Sequence, residues 1–170
     1  AVSPMPQSQH KSIHNLRSDL NGDVIGPEDA AYDEARQVFF KGVDRRPAAV
    51  VRVAGADDVA RVVTFARESG LELAVRSGGH HRAGYGTSEG GIVIDLSGMR
   101  ALDIDVDANT AWVETGITAG EYTSAVGERG RATGLGDTGS VGIGGITLGG
   151  GIGFLVRRYG LTIDDLLAAE

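Results

Sequence analysis

The sequence predicts an α+β fold with two lobes whose boundary lies near residue 97. Over residues 48–76 an apolar strand, an amphipathic helix and a second strand follow one another, which is the pattern of a β-α-β unit. Over residues 91–116 short strand-like segments recur, as is typical of strand pairs joined by tight turns. The 27 glycines of the chain concentrate between residues 78 and 160, where they favour loops over regular elements.

The N-terminal region, residues 1–46, reads as a tail followed by helices. Helical periodicity over residues 13–20 ends at Asn21-Gly22, and a second helix is predicted over residues 29–40, after Pro27. The polar tail carries His10 and His14 at the i, i+4 spacing of a metal clasp, but without the glutamate of an H-E-x-x-H motif. We therefore expect no metal site.

The first lobe is predicted over residues 47–97. Its strands are AAVVRV and LELAV, and the helix between them has Asp57 as its predicted N-cap and Gly70 as its stop. The loop RSGGHHRAGYG, residues 76–86, follows the second strand at its carboxyl end. Ligands of open α/β sheets bind at that end of the strands, so this loop is a candidate binding site.

The second lobe is predicted over residues 98–170. Strands over residues 102–107 and 110–116 are joined by a turn at Asp107–Asn109, and the alternating aspartates of the first strand suit a solvated face. A helix over residues 118–129 follows.

The start of that helix has the pattern of a capping box, with Thr118 as the N-cap and Glu121 three residues later, and Gly130 marks its end. Two aromatic residues, Trp112 and Tyr122, are expected in the core. Residues 134–153 are too rich in glycine for an ordinary helix or strand.

Composition excludes several classes of function. A net charge of -7 argues against a nucleic-acid surface, which needs clustered Lys and Arg. The uncharged stretch of residues 138–156 is too rich in glycine to suit a membrane span. With no cysteine, the chain offers no disulfide, thiolate nucleophile or Cys-ligated metal; this fits a reducing bacterial cytoplasm and is compatible with secretion.

The two glycine-rich tracts make most sense as a pair. Residues 134–139 match G-x-G-x-x-G, but the glycines that follow do not favour the helix that a Rossmann site requires. Unblocked backbone N–H groups in each tract would form a nest for phosphate oxygens. A large dinucleotide lying between the tracts would use both.

Residues 47–170 resemble the flavin domain of the vanillyl-alcohol oxidase and p-cresol methylhydroxylase superfamily, and most closely the berberine-bridge-enzyme-like oxidases. The segments that carry the resemblance are PAAVVRVAGADDVARVV, RSGGHHRAGYGTSEGGIVIDLSGM and GSVGIGGITLGGGIGFLVRRYGLTIDDLLAAE. The resemblance implies a two-lobed FAD-binding domain of the p-cresol methylhydroxylase type, truncated before the substrate domain. One departure is Asp164-Asp165, where the family usually has Asp-Asn.

The resemblance also implies roles for particular residues. In the family the R-S-G-G-H loop wraps the FAD pyrophosphate, and the histidine that ends it, here His80, bonds the 8α-methyl carbon of the flavin. A second glycine loop runs along the flavin and its phosphates. Some relatives form a second link through a cysteine; Thr138 stands there in this chain, so no cysteinyl link is expected. The full set of expected cofactor-binding residues is Arg76, Ser77, Gly78, Gly79, His80, His81, Gly84, Thr138, Gly139, Ser140, Val141, Gly142, Gly144 and Gly145.

The chemistry implied is that of an FAD-dependent oxidoreductase. The flavin would accept a hydride from an alcohol, sugar or amine carbon and pass the electrons to oxygen. The catalytic base would lie in a C-terminal substrate domain, so residues 1–170 alone are expected to be inactive. The alternative is a non-catalytic glycine-rich binding module or a degenerate flavin-fold scaffold.

Overall fold

The computed structural model describes the backbone of residues 7–170 and the side chains of residues 13–170. The chain divides into two compact units. The first contains the chain up to Arg76 together with His81–Gly98, and the second contains Ser77–His80 together with Met99–Glu170. The glycine loop, expected wholly in the first lobe, is divided, because Ser77–His80 pack within the second unit, where the backbone of Gly78 contacts that of Gly142.

A four-stranded sheet forms the centre of the first unit, with the strands β1 (Asp23–Ile25), β2 (Ala49–Arg52), β3 (Leu73–Arg76) and β4 (Ile92–Asp95) in the order β1-β2-β4-β3. Strands β2 and β3 both pair in parallel with β4, and β1 lies antiparallel beside β2. Helix α3 (Ala56–Ser69) connects β2 to β3, which confirms the predicted β-α-β unit.

The core of the first unit lies along the two inner strands. Val50 and Val51 of β2 and Ile92, Val93 and Ile94 of β4 have no exposed surface. Their continuous apolar runs, rather than an alternating pattern, are typical of parallel strands that are covered on both faces.

The N-terminal region differs from the prediction in two respects. The helix predicted over residues 29–40 is a single turn, α2 (Tyr32–Ala35), which follows α1 (Gln7–Asp19). Arg36 ends it, because its guanidinium pairs with Asp33 and Asp44 and donates to the carbonyl of Arg45, which favours an irregular return of the chain. Strand β1, only three residues long, was not predicted.

The N-terminus of α3 also differs from the prediction. The N-cap is Gly55 and Asp57 lies in the first turn, so the predicted cap is wrong; Gly70, in the left-handed conformation, ends the helix as predicted. The carboxylate that accepts the backbone N–H of Ala54 belongs to Asp58.

Asp58 joins three segments of the first unit. It is 1% exposed, and its oxygens accept backbone N–H groups of Asn21 at 3.0 Å, Gly22 at 2.9 Å and Ala54 at 3.0 Å. Burial raises the pKa of the Asp58 carboxyl, but the three backbone hydrogen bonds outweigh that effect and leave the pKa below its ordinary value.

In the second unit, β5 (Leu102–Asp105) and β6 (Thr110–Val113) form the predicted antiparallel hairpin. Asn109 adopts a positive φ of 56° at its turn. Leu102 and Val113 face the core of this unit. Because successive side chains of a strand point to opposite faces, Trp112 lies on the other face of the hairpin. Trp112 is 50% exposed, and its predicted place in the core is wrong.

Helix α4 (Ala119–Gly127) begins with the predicted capping box. Thr118 accepts the N–H of Glu121 through its side chain, and Glu121 accepts the N–H of Thr118 in return. Hydrogen bonds from Thr118 and then from Arg100 lower the pKa of the Glu121 carboxyl. The helix buries Ala119, Tyr122 and Val126 in a core with Ile117, Leu135 and Ile143.

The glycine-rich tract contains regular structure that the sequence did not predict. Helix α5 (Ile143–Leu148) interrupts residues 134–153, and α6 (Val156–Tyr159) follows that tract. Burial of Ile143 in the core, with Ile146 packed against it, outweighs the cost of the two helical glycines.

Short 3₁₀ turns lie at Leu96–Gly98 and Thr162–Asp165. No helix within residues 7–170 has the length and apolar character needed to span a membrane.

Replacing Asp58 by Asn should lower the free energy of unfolding of the full-length protein by about 2–3 kcal/mol at pH 7, because an amide group would face backbone donors. Since the folded-state pKa is depressed, the stabilisation is complete above the unfolded-state pKa of about 4 and is lost as the pH falls through the folded-state value. Urea titrations from pH 7 to pH 3 should therefore show the gap between wild type and variant closing in acid.

The exposed neighbour Asp57 provides the control. Asp57→Asn should change the free energy of unfolding by less than about 0.5 kcal/mol. Equal effects of the two substitutions on the free energy of unfolding would contradict the role assigned to Asp58. A destabilisation by Asp58→Asn that does not change between pH 7 and pH 3 would contradict it as well.

Candidate functional site

The carboxyl ends of the three parallel strands carry a row of charged residues in the first unit. Arg52, Asp95 and Arg76 are in register, and Arg76 Nη2 lies 3.0 Å from Asp95 Oδ2. Arg76 also donates to the carbonyl oxygens of Ala35 and Gln37 and is 6% exposed. Its guanidinium is therefore committed to the protein interior, and what Arg76 contributes to the loop is a fixed end of β3.

Ser77 and Gly78, which belong to the second unit, lie directly against Gly142 of the second glycine tract, with no side chain between the two backbones. A Cβ built on Gly78 would stand 2.9 Å from the Cα of Gly142, and one built on Gly142 would stand 2.8 Å from the Cβ of Ser77. Both virtual atoms would also overlap a backbone nitrogen of the other segment. Only glycine at both positions permits this approach of the two backbones.

Two side-chain contacts join the same segments. Ser77 Oγ donates to the carbonyl oxygen of Thr115 at 2.5 Å. Ser140 Oγ lies 3.2 Å from Nε2 of His80. The half-buried imidazole of His80 thus stands beside the second tract with one ring nitrogen at the Ser140 hydroxyl.

The second tract is fixed in turn by the start of α4. Antiparallel bridging of Thr118 and Gly142 gives hydrogen bonds from Ala119 N to Val141 O and from Ile143 N to Ile117 O. The N–H of Gly120 donates to the carbonyl of Gly139 at 2.8 Å. The capping box and the glycine tract therefore form one hydrogen-bonded structure.

Several backbone donors of these loops remain available. Within the part of the chain that the structure describes, the N–H groups of Gly78, Gly79 and Ser140 donate to no protein acceptor. Gly79 has a φ of 69°, so it adds a left-handed turn without a side chain. Such a row of unblocked N–H groups suits phosphate oxygens.

The remainder of the first glycine loop belongs to the first unit. The ring of His81 packs on Tyr85, with ring centroids 4.5 Å apart, and its Nδ1 accepts the N–H of Ala83. Arg45 donates to the carbonyl of Gly84, which has a φ of 75°. This part of the loop is held by contacts of its own.

Comparison with known proteins identifies the family. The model of a family described as an FAD binding domain matches residues 47–170. The chain belongs to this FAD-binding domain family. It is 38% identical over 150 residues to (R)-6-hydroxynicotine oxidase of Paenarthrobacter nicotinovorans, covering 88% of this chain and 33% of that relative. It is 36% identical over 137 residues to berberine bridge enzyme-like 14 of Arabidopsis thaliana, covering 78% of this chain and 26% of that relative.

A solved structure agrees on the fold. Glucooligosaccharide oxidase of Acremonium strictum, described as carrying a 6-S-cysteinyl, 8α-N1-histidyl FAD, superposes with a TM-score of 0.83 at 29% identity. The match covers 90% of this chain and 33% of that one, so the chain spans about a third of the length of such relatives. The α+β fold of FAD oxidases of the p-cresol methylhydroxylase type is thereby confirmed, as is membership of an oxidoreductase family that includes berberine-bridge-enzyme-like proteins.

The FAD-binding domain brings most of the predicted cofactor residues together in its second unit. These are Ser77, Gly78, Gly79, His80, Thr138, Gly139, Ser140, Val141, Gly142, Gly144 and Gly145. Arg76, His81 and Gly84 lie in the first unit, where their side chains or carbonyls make the local contacts described above.

Thr138 is exposed, and its hydroxyl donates to Asp137 at 3.1 Å. A Cβ on Gly145 would meet no atom within 4 Å, so this glycine borders open space.

Sequence reasoning missed Thr115 and Thr162. Thr115 accepts the Ser77 hydroxyl, and its side chain would be 2.9 Å from a Cβ on Gly144. The buried hydroxyl of Thr162 donates to Gly134 O at 2.5 Å and lies 3.1 Å from Gly151 O. Both threonines brace glycine loops from distant positions, and no local pattern marks them.

No group of three or more His, Cys, Asp or Glu side chains that would suit a metal occurs among the described residues. The side chain of His10 lies outside them, so the His10–His14 pair is not described. Asp103 and Asp105 occupy the exposed face of β5.

Gly142→Ala should destabilise the second unit and abolish tight FAD binding, because the new Cβ would collide with Ser77 and Gly78. We expect a loss of about 3 kcal/mol in the free energy of unfolding, the upper end of the usual cost of overpacking. Gly127→Ala is the matched control, since a Cβ there meets nothing within 4 Å and the residue ends a helix. Urea unfolding and FAD titration of both variants measure the difference. Wild-type behaviour of Gly142→Ala would disprove the close approach.

Proposed function

We propose that this chain is the FAD-binding part of a flavin-dependent oxidase in which the FAD is covalently bound to His80. The observation that carries the proposal is the arrangement of the second unit, where His80 and available N–H donors stand beside the second glycine tract. A relative of similar fold carries a histidyl-linked FAD, which supports the assignment.

The roles of the residues follow from their chemistry. The N–H groups of Gly78, Gly79 and Ser140 would bind the pyrophosphate oxygens. Because the two glycines have no side chains, the cofactor could approach the backbone there closely. His80 would anchor the flavin. When bound, FAD supplies hydride acceptance from a substrate carbon and electron transfer to oxygen.

The substrate we propose is a small molecule with a hydride-bearing carbon next to oxygen or nitrogen. Two oxidases among the similar proteins act, by name, on (R)-6-hydroxynicotine and on glucooligosaccharides. Because the chain spans about a third of the length of these relatives, we propose that a C-terminal domain of the same protein contributes the substrate pocket and the catalytic base.

Oxygen consumption by the full-length protein should respond to an alcohol, a sugar or an amine. A panel of the three classes, followed with an oxygen electrode and by hydrogen peroxide formation, tests this expectation. A protein that is yellow yet consumes no oxygen with any class would indicate a flavin-fold scaffold rather than an oxidase.

The covalent link predicts a single flavinylated peptide. Digestion of the full-length holoprotein should give flavin on the peptide that contains His80 and none on the peptide that contains Thr138, because a threonine hydroxyl is too weak a nucleophile at neutral pH. In His80→Ala the flavin should be released by acid, whereas His81→Ala should retain it. Covalent flavin in His80→Ala that is lost in His81→Ala would reverse the assignment.

A further inference from the structure

The Ser140 hydroxyl contacts one particular ring nitrogen of His80. Ser140 Oγ lies 3.2 Å from His80 Nε2, and both residues belong to the second unit. The backbone on either side of Ser140 is held, because the N–H of Gly120 donates to Gly139 O and the N–H of Ala119 donates to Val141 O. The hydroxyl is thus presented to one ring nitrogen from a fixed support.

A neutral imidazole carries its proton on one nitrogen and a nucleophilic lone pair on the other. The partner of one nitrogen therefore decides which nitrogen can attack. A hydroxyl oxygen that accepts N–H at Nε2 favours the tautomer whose lone pair is at Nδ1.

We propose that Ser140 is the positioning residue for flavin attachment: its Oγ accepts the Nε2–H of His80, so that the bond to the 8α carbon forms through Nδ1. The inference rests on the proposed covalent link at His80. Ser140 itself bonds neither the flavin ring nor the 8α carbon and acts through the imidazole.

The attachment balances as an oxidative coupling. One N–C bond forms between His80 and the 8α carbon, while a proton leaves the 8α-methyl group and a proton leaves the imidazole. The electron pair of the broken C–H bond reduces the flavin by two electrons. Molecular oxygen, the oxidant we name, restores the oxidised flavin and becomes hydrogen peroxide. The imidazole proton leaves Nε2 along the hydrogen bond to Ser140 and passes through its hydroxyl to solvent, so the serine is unchanged at the end of the step.

The test uses apoprotein of the full-length chain, mixed with FAD in air. Wild type should attach FAD to His80. Hydrolysis to histidyl-riboflavin should then give only the N1 isomer, in which the flavin is bonded to Nδ1, and not the N3 isomer, in which it is bonded to Nε2. Synthetic N1 and N3 standards identify the two. Ser140→Ala should attach FAD about five- to tenfold more slowly, as expected for the loss of one hydrogen bond, and should give a mixture of isomers. Ser140→Thr, which keeps a hydroxyl, should restore the rate and the N1 isomer.

Ser124→Ala, an exposed serine of α4, is the matched control and should behave as wild type. An N3 isomer from wild type, or Ser140→Ala that attaches FAD at the wild-type rate with N1 alone, would overturn the role of Ser140. Wild type that binds FAD but never attaches it to His80 would instead refute the proposed link, so the two failures are distinguishable. FAD affinity measured by ultrafiltration before attachment separates a loss of binding from a loss of positioning.

Discussion

The candidate site depends on one close contact between two backbones. Gly78 and Gly142 approach so closely that a Cβ on either would overlap the other segment, and Ser77 closes the contact from one side. Because no side chain lies between the segments, the N–H groups of one loop and the side chains of the other reach the same small region. His80 meets Ser140 only because this contact sets the spacing.

Glycine-rich loops are costly to order, since each glycine loses more conformational freedom on folding than any other residue. The second unit offsets this cost with fixed partners around the tract. The capped start of α4 bridges Gly142, and the buried Thr162 hydroxyl holds the carbonyls of Gly134 and Gly151. The loops are therefore supported by the elements beside them, which is what a preformed cofactor cradle requires.

Several local patterns were read correctly from the sequence, although the helix over residues 29–40 and the N-cap Asp57 were not, and distant contacts were missed. The β-α-β unit, the Asn109 turn and the capping box of Thr118 depend on neighbours within a few residues, so their signals are in the sequence itself. Asp58 gathers donors from Asn21 and Gly22, far along the chain, and no periodicity reveals that. In the candidate site, the resemblance pointed to the glycines and to Ser140, but the partner Thr115 and the contact between Ser140 and His80 emerged only from the fold.

The paired histidines illustrate how two adjacent residues of one type acquire different chemistry. His81 is exposed, its ring packs on Tyr85, and its Nδ1 lone pair accepts the N–H of Ala83. That lone pair is engaged, so the neutral ring keeps its proton on Nε2 and serves the loop's own structure. His80 instead presents Nε2 to a hydroxyl that can accept a proton from it. The two side chains thus differ in which ring nitrogen the protein contacts, Nδ1 in His81 and Nε2 in His80, and the flavin link we propose at His80 rests on that difference.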